Sequence, residues 1–182
     1  MLAAATTRLR PCLIAALVGI IAGATIVTAA PEHSRLAAMV GAWNVEMTFW
    51  TRPGGPGVPS KGTSTIQLLL NGLFIEEKIE GALNGAPFTT LAWTGFNTAT
   101  HQYEATRIAS TNTIRIAEAG GFDEQTNQFE LKADYPFAGD TWHQRTVIQQ
   151  LSPDSMTATS YLSFGAVPEW KAVEIHYTRK PK

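Results

Sequence analysis

The chain has 182 residues, of which 45% are hydrophobic and 16% are charged, and its formal net charge is −1. A chain of this length fits one domain with a single core. Its basic residues form no stripe along the sequence, which argues against a nucleic-acid partner. The single cysteine is Cys12, so no disulfide can form within the chain.

The N-terminal sequence has the pattern of a secretory signal peptide. Two arginines precede the uncharged apolar segment Cys12–Val27, and the small residues Val27-Thr28-Ala29 offer a cleavage site. We predict a signal peptide over residues 1–29 and a single exported domain over residues 30–182, either periplasmic or secreted. An uncleaved membrane anchor is the alternative, because the apolar segment approaches the roughly 20 residues that span a bilayer. After cleavage we expect no membrane contact.

One helix and ten strand-like runs follow in chain order. The helix is predicted over Glu32–Val40, with Ser34 as its cap and Gly41 at its end. Most of the runs are rich in Thr, Val, Ile and aromatic residues, which pleated sheets favour. The runs are Trp43–Trp50, Lys61–Leu70, Leu73–Glu80, Phe88–Phe96, Gln102–Ile108, Thr113–Glu118, Asn127–Ala133, Thr141–Leu151, Met156–Phe164 and Trp170–Arg179.

Short turn sequences separate these runs. Asn71-Gly72, Asn84-Gly85 and Gly120-Gly121 have the composition of tight turns. The even spacing favours an all-β fold in which about ten antiparallel strands form an up-and-down barrel. Closing the sheet in this way removes its unpaired edges.

The Asn71-Gly72 hairpin assigns the faces of the second and third strands. A two-residue loop places Leu70 opposite Leu73 on one face. Glu77 shares the more apolar face, and it is either a rim or structurally paired carboxylate or a desolvated group facing a ligand cavity. The face expected to point inward consists of Ile66, Leu68, Leu70, Leu73, Ile75, Glu77 and Ile79.

The first and last strands are expected to close the barrel. Trp43 opens the first strand and Arg179 ends the last strand, so antiparallel pairing brings both side chains to the same end. Stacking of a guanidinium on an indole is worth about 0.5–2 kcal/mol. We therefore predict structural roles for Trp43 and Arg179.

The order of several short motifs resembles a known family. The motifs are His33-x-x-Leu36, Gly41-x-Trp43, Lys61-Gly62-Thr63-Ser64, Asn71-Gly72-x-Phe74 with Glu77, Gly95-Phe96-Asn97 with Tyr103, and Tyr177-Thr178-Arg179-Lys180. In this order they resemble the bacterial family known as domain of unknown function 1579. The helix, the Gly-x-Trp motif and the basic end are also similar to calycins, which include lipocalins and fatty-acid-binding proteins. The resemblance implies a calycin-like barrel rather than a particular reaction.

Sequence patterns for catalysis or metal binding are weak. The chain has no Gly-x-Ser-x-Gly motif that would expose a serine nucleophile. The histidines His33, His101, His143 and His176 are too widely spaced for a local chelating pair. His176 invites comparison with haem-binding barrels, but strand alternation places it outside unless a bulge intervenes. We predict no catalytic residue, no metal and no cofactor.

The preferred function is the binding of a small, partly apolar molecule inside the barrel. Glu77 and Arg145 are the predicted polar contacts. Trp93 and Tyr103 are the predicted aromatic walls, and plain packing is the alternative for Trp93. If His143 and Arg145 face the interior, they can meet either an acidic ligand or Glu77. Alternation leaves the direction of that face open, and it leaves the face of Tyr103, Ala105 and Arg107 open as well.

Two other classes of function remain open. An enzyme of the same fold would use an interior Glu with an Arg or His for acid–base chemistry. A barrel filled by its own side chains would act through its surface as a protein-interaction module. The sequence does not fix the oligomeric state.

Overall fold

A computed structural model describes residues 31–181. The predicted signal peptide over residues 1–29 lies outside the described residues. One helix, α1, precedes ten strands, β1 to β10. Their bounds are α1 Pro31–Ala38, β1 Gly41–Phe49, β2 Val58–Leu69, β3 Phe74–Leu83, β4 Ala86–Asn97, β5 Gln102–Ala109, β6 Ile116–Asp123, β7 Gln128–Phe137, β8 Asp140–Ser152, β9 Ser155–Phe164 and β10 Val167–Arg179.

The ten strands form a closed antiparallel barrel, which confirms the predicted architecture. Each strand pairs with its neighbours in sequence, and β1 pairs with β10 to close the sheet. Trp43 lies directly opposite Arg179 in this closing pair. We call the end of the barrel that carries α1 the helix end, and the opposite end, where β1 finishes at Phe49, the far end. None of the helices in residues 31–181 is long and apolar enough to cross a membrane.

The helix begins earlier than its predicted cap. It starts at Pro31 and finishes at Ala38, so Ser34 lies inside it rather than at its N-terminus. Proline suits the first helical position because its fixed φ matches the helix and its missing N–H has no partner there in any case. Leu36 from the helix, together with Met39 just beyond it, is buried in the barrel core.

The β2–β3 hairpin has the predicted register but a longer turn. Ile66 pairs with Glu77, as the two-residue loop requires, but ladder pairing stops at Leu69 and Phe74. The connection is a short 3-10 turn in which Leu70 has a φ of 50°. Three leucines predicted to point inward therefore lie at the rim and are exposed to solvent: Leu68, Leu70 and Leu73.

The Gly120-Gly121 pair is not a turn, contrary to the prediction. Both glycines lie inside β6, and Gly120 pairs with Leu131 of β7. A side chain at Gly120 would place its Cβ 1.9 Å from the carbonyl oxygen of Glu130, so only glycine allows the two strands to approach at this point. The longer strand moves Glu118 from a predicted strand end to the middle of β6.

The barrel core is closed at the helix end by Trp43 and Arg179. The Trp43 side chain is fully buried and its Nε1 donates to the carbonyl oxygen of Met39 at 3.1 Å. The Cζ of Arg179 lies 4.1 Å from the centroid of the Trp43 ring. Its Nη1 also donates to the carbonyl oxygen of Val40 at 2.6 Å. The predicted stacking contact is therefore present, and it ties β10 to the segment that follows α1.

Candidate functional site

Two cavities lie inside the barrel, one above the other along its axis. The helix-end cavity is the more enclosed and leaves about 50 Å³ for the centres of water-sized molecules, which is room for a few waters. The far-end cavity leaves about 160 Å³ and is walled mainly by apolar side chains. Three residues line both cavities and mark the boundary between them: Arg107, Ser160 and Ile175.

Arg107 is the cation at this boundary. It lies on β5 with Tyr103 and Ala105, and their burial shows that this face of the strand is the inner one. The Nε of Arg107 is 3.5 Å from Oε2 of Glu118, yet neither atom has a hydrogen-bond partner within residues 31–181. The guanidinium is therefore compensated in charge by Glu118 but not fully satisfied in hydrogen bonding.

Glu118 is held in place by polar side chains of β8. The Oε1 of Glu118 accepts a hydrogen bond from Thr146 Oγ1 at 2.6 Å and another from Gln144 Nε2 at 3.0 Å. The side chain of Glu118 is 0% exposed. A buried carboxylate is tolerated when a cation and hydrogen-bond donors compensate it. Glu118 thus positions Arg107 from the barrel wall.

Glu77 is a second carboxylate in the interior, carried by β3, whereas Glu118 is carried by β6. It lines the helix-end cavity together with Arg107 and Tyr177, in the inward direction that the hairpin predicts. Its Oε1 accepts a hydrogen bond from Ser64 Oγ at 2.8 Å. Whether Glu77 contacts a ligand stays a prediction.

The interior charges influence one another. Burial opposes the charge on Arg107, but the carboxylates of Glu118 and Glu77 outweigh this effect and raise the Arg107 pKa. Burial, reinforced by the neighbouring Glu77, raises the Tyr177 pKa well above its ordinary value of 10.0. At neutral pH the interior therefore holds a fixed cation, a neutral phenol and two carboxyl groups.

Aromatic side chains surround the far end of the barrel. Trp142 on β8 stacks on Phe164 at the end of β9, with ring centroids 4.4 Å apart. Phe137 and Trp170 pack edge-on against Trp142 at 5.2 Å and 6.0 Å. These four residues form an aromatic rim beside the far-end cavity, and Phe137 is exposed to solvent.

Arg145 does not face the interior, which corrects its predicted role. Its Nη2 and Nε donate to the two carboxylate oxygens of Glu169 at 2.7 Å and 3.0 Å on the outer wall. Its Cζ stacks 4.1 Å from the centroid of the Tyr161 ring, also on the outside. The inner face of β8 carries Gln144 and Thr146 instead.

Trp93 likewise lies outside, and its assignment to a cavity wall is wrong. Its Nε1 donates to Oε2 of the outward-facing Glu76 at 2.8 Å. The inward neighbour, Ala92, is buried and lines the helix-end cavity. The smaller residue therefore faces inward at this level, where Ala92 pairs with Glu77.

Tyr103 is internal, but it packs under α1 and does not line either of the two cavities. Its hydroxyl donates to the carbonyl oxygen of Glu32 at 3.2 Å and accepts from Arg35 Nη1 at 3.5 Å. Its ring lies against Phe96 and Phe129, with centroids 5.1 Å and 4.8 Å away. These contacts hold the helix on the barrel.

The histidines that the sequence left open are located away from both cavities. His143 lies on the outer face of β8, with Nδ1 2.7 Å from Asp134 Oδ1. His176 is exposed on β10, opposite Glu46. Across residues 31–181, His, Cys, Asp and Glu side chains form no group of three or more that could hold a metal ion.

Sequence reasoning left the face of Arg107 open and missed Glu118, although one signal was available for Arg107. The Asn84-Gly85 turn pairs Leu83 with Ala86, and this register places Ala92 opposite Glu77. Continuing across the next hairpin pairs Ala92 with Arg107, which turns the arginine inward. No comparable signal located Glu118, because Gly120-Gly121 has the composition of a turn.

The fold and its interior define a class of protein: a closed ten-stranded barrel with charged groups near its centre and a mainly apolar far-end cavity. Residues 28–179 match the family described as Protein of unknown function (DUF1579), and the chain belongs to this family. The family model covers the whole barrel. None of the curated proteins matches the chain.

Solved structures of similar fold include two with TM-scores of 0.61 and 0.59. Rv2717c from M. tuberculosis has a TM-score of 0.61 at 12% identity, with 84% of this chain and 99% of that chain covered. The S-type phycobiliprotein lyase CPES from Guillardia theta has a TM-score of 0.59 at 10% identity, with 82% of this chain and 92% of that chain covered. At these identities the similarity is one of fold, in agreement with a calycin-like barrel.

Proposed function

We propose that this protein binds a small, partly apolar molecule inside the barrel, with an acidic group of the molecule near Arg107. The observation that carries the proposal is the location of Arg107, which lines the far-end cavity among apolar side chains. Pockets for small molecules commonly combine apolar walls with a few polar groups that fix orientation. Arg107 thereby takes the part that the sequence assigned to Arg145.

The walls of the far-end cavity suit an apolar body. The lining of this cavity includes the aromatic rings of Phe49 and Phe88 and the aliphatic side chains of Met47, Ile116 and Leu162. The aromatic rim lies at the same end of the barrel and offers flat aromatic surfaces there. Burial of apolar surface supplies about 25 cal/mol per Å² toward binding, before the costs of association.

A matched pair of variants tests the proposal. R107Q/E118Q removes the inner ion pair and leaves the net charge of the interior unchanged, and R145Q/E169Q does the same for the ion pair on the outer wall. Native mass spectrometry of the gently purified protein should show a retained small molecule that R107Q/E118Q loses and R145Q/E169Q keeps. An adduct retained equally by both variants would contradict binding at Arg107, and a protein that carries no adduct and takes up no small organic acid would contradict interior binding.

A second candidate is an enzyme with the same interior. Glu77, Arg107 and Tyr177 line one cavity, so a proton acceptor lies beside a cation and a neutral hydroxyl. The lyase of similar fold indicates that such a barrel can be an enzyme. Here Glu77→Gln would abolish turnover of the retained molecule while leaving its binding intact. Loss of binding together with turnover would argue against a catalytic Glu77.

We also propose that the protein is exported after removal of residues 1–29. The charged, apolar and small-residue regions of the N-terminal sequence support this. Expression of the full chain in a bacterial host and intact-mass analysis of the periplasmic fraction should give a protein that begins at Ala30. Full-length protein recovered from the membrane fraction would favour the uncleaved anchor.

A further inference from the structure

We propose that Glu77 takes up a proton when an acidic ligand binds at Arg107, so that ligand binding and protonation are coupled. This inference rests on the proposed function. Its basis is a count of the interior charges. Among residues 31–181, the charged groups inside the barrel between Trp43 and the aromatic rim are Arg107, Glu118 and Glu77.

With both carboxylates ionised, these three groups sum to one negative charge. Glu118 is the direct partner of Arg107 at 3.5 Å, which leaves Glu77 as the excess charge. A ligand anion would bring the interior to two negative charges in a region of low dielectric, where uncompensated charge is costly. Uptake of one proton restores the original balance.

Glu77 is better suited than Glu118 to accept that proton. Glu118 is fully buried, and its Oε1 already accepts two hydrogen bonds, from Thr146 and Gln144. Glu77 lines a cavity that has room for water and accepts one hydrogen bond on Oε1, from Ser64. A protonated Glu77 would keep that bond and gain a donor that can reach water.

The groups that face Glu77 from neighbouring elements support the same assignment. Arg107 on β5 and Tyr177 on β10 share its cavity, and Glu118 on β6 acts through Arg107. The cavity residues from α1 and β4 do not titrate: Leu36, Ala92 and Thr94. Tyr177 keeps its own proton because burial raises its pKa well above 10.0. The proton therefore comes from solvent and stays on Glu77.

Isothermal titration calorimetry with naphthalene-1-sulfonate tests the coupling. A sulfonate stays ionised, so any proton taken up must reside on the protein. Titrations in two buffers of different ionisation enthalpy should show uptake approaching one proton per ligand in the wild type. Affinity should fall with rising pH, by up to about tenfold per pH unit while one proton is linked. The neutral probe naphthalene-1-sulfonamide should bind with no uptake.

Glu77→Gln should remove the proton uptake and tighten sulfonate binding by about tenfold at neutral pH, because the excess negative charge is gone. Glu76→Gln is the matched control, since Glu76 is adjacent in sequence but bonded to Gln67 and Trp93 on the outer wall. This control should behave like the wild type.

Each other outcome overturns the inference in a distinguishable way. Sulfonate binding without proton uptake, or with uptake that persists in Glu77→Gln, overturns the role of Glu77 while interior binding still stands. A protein that binds the sulfonamide but not the sulfonate overturns both the acidic ligand and the coupling. Binding of neither probe, together with the absence of a retained molecule, overturns the proposed function as well.

Discussion

The inner and outer walls of this barrel each hold an arginine paired with a glutamate, and the two pairs differ in environment. Outside, Arg145 and Glu169 make a bidentate pair that water can reach. Inside, Arg107 and Glu118 lie 3.5 Å apart with unsatisfied atoms on both partners. The bidentate geometry therefore occurs in the outer pair, where solvent screening makes an ion pair contribute little to stability. In the buried pair, Arg107 Nε and Glu118 Oε2 remain able to form hydrogen bonds, as a binding site requires.

The largest difference should appear when each glutamate is removed. Glu118→Ala removes the direct carboxylate partner of the buried Arg107, which should lower the free energy of unfolding by about 3–5 kcal/mol. Glu169→Ala removes an exposed partner and should cost about 0–1 kcal/mol. Urea unfolding of both variants measures the two values. Equal losses would contradict the distinction between the walls.

The two adjacent glycines of β6 sharpen the comparison. Gly120→Ala places a Cβ against the backbone of Glu130, and it should destabilise the barrel by about 1–3 kcal/mol. Gly121→Ala meets no atom within 4 Å and should change stability by about 0.5 kcal/mol or less. Thermal unfolding compares them directly. If Gly120→Ala were as stable as wild type, β6 and β7 could not approach as closely as the structure shows at this point.

Substitution of Arg179 should lower the free energy of unfolding by an amount between those expected for the inner and outer ion pairs. Arg179→Met keeps apolar contact with Trp43 but loses the cation–π interaction and the bond to the carbonyl oxygen of Val40. We expect a loss of about 1–2 kcal/mol in unfolding free energy. Arg145→Met is the control, because it removes an arginine that stacks on Tyr161 on the outer wall. It should lower the free energy of unfolding by less than about 1 kcal/mol. A larger loss for Arg145→Met than for Arg179→Met would contradict the structural role assigned to Arg179.

The smallest expected effect is the pH dependence of stability that Glu169 contributes on the outer wall. The hydrogen bond from Arg145 lowers the pKa of Glu169. A lowered folded-state pKa adds stability above the unfolded pKa, and this contribution disappears as pH falls through the folded value. Glu169→Gln should therefore be less stable than wild type by about 0–1 kcal/mol near neutral pH and equal to it in acid. A stability difference between wild type and Glu169→Gln that grows as the pH falls would contradict a lowered pKa for Glu169.

The sequence predicted the barrel well because its evidence was local. Alternating runs and short turns specify strands, and the β2–β3 hairpin set the register that turns Glu77 inward. The site was harder to predict because it depends on strands far apart in sequence. Arg107 and Arg145 have the same side chain and similar neighbours, so the choice between them required register to be carried across several hairpins. Glu118 was hidden by glycines that occur in a strand rather than in a turn.

The most direct test of the account compares the inner and outer ion pairs in ligand binding. The R107Q/E118Q variant keeps the net interior charge unchanged, so altered affinity for naphthalene-1-sulfonate reports contact with Arg107 itself. A lost charged hydrogen bond corresponds to a roughly tenfold to hundredfold weaker affinity. The account predicts that loss for R107Q/E118Q and wild-type affinity for R145Q/E169Q. Equal affinities, or a loss confined to the outer variant, would contradict it.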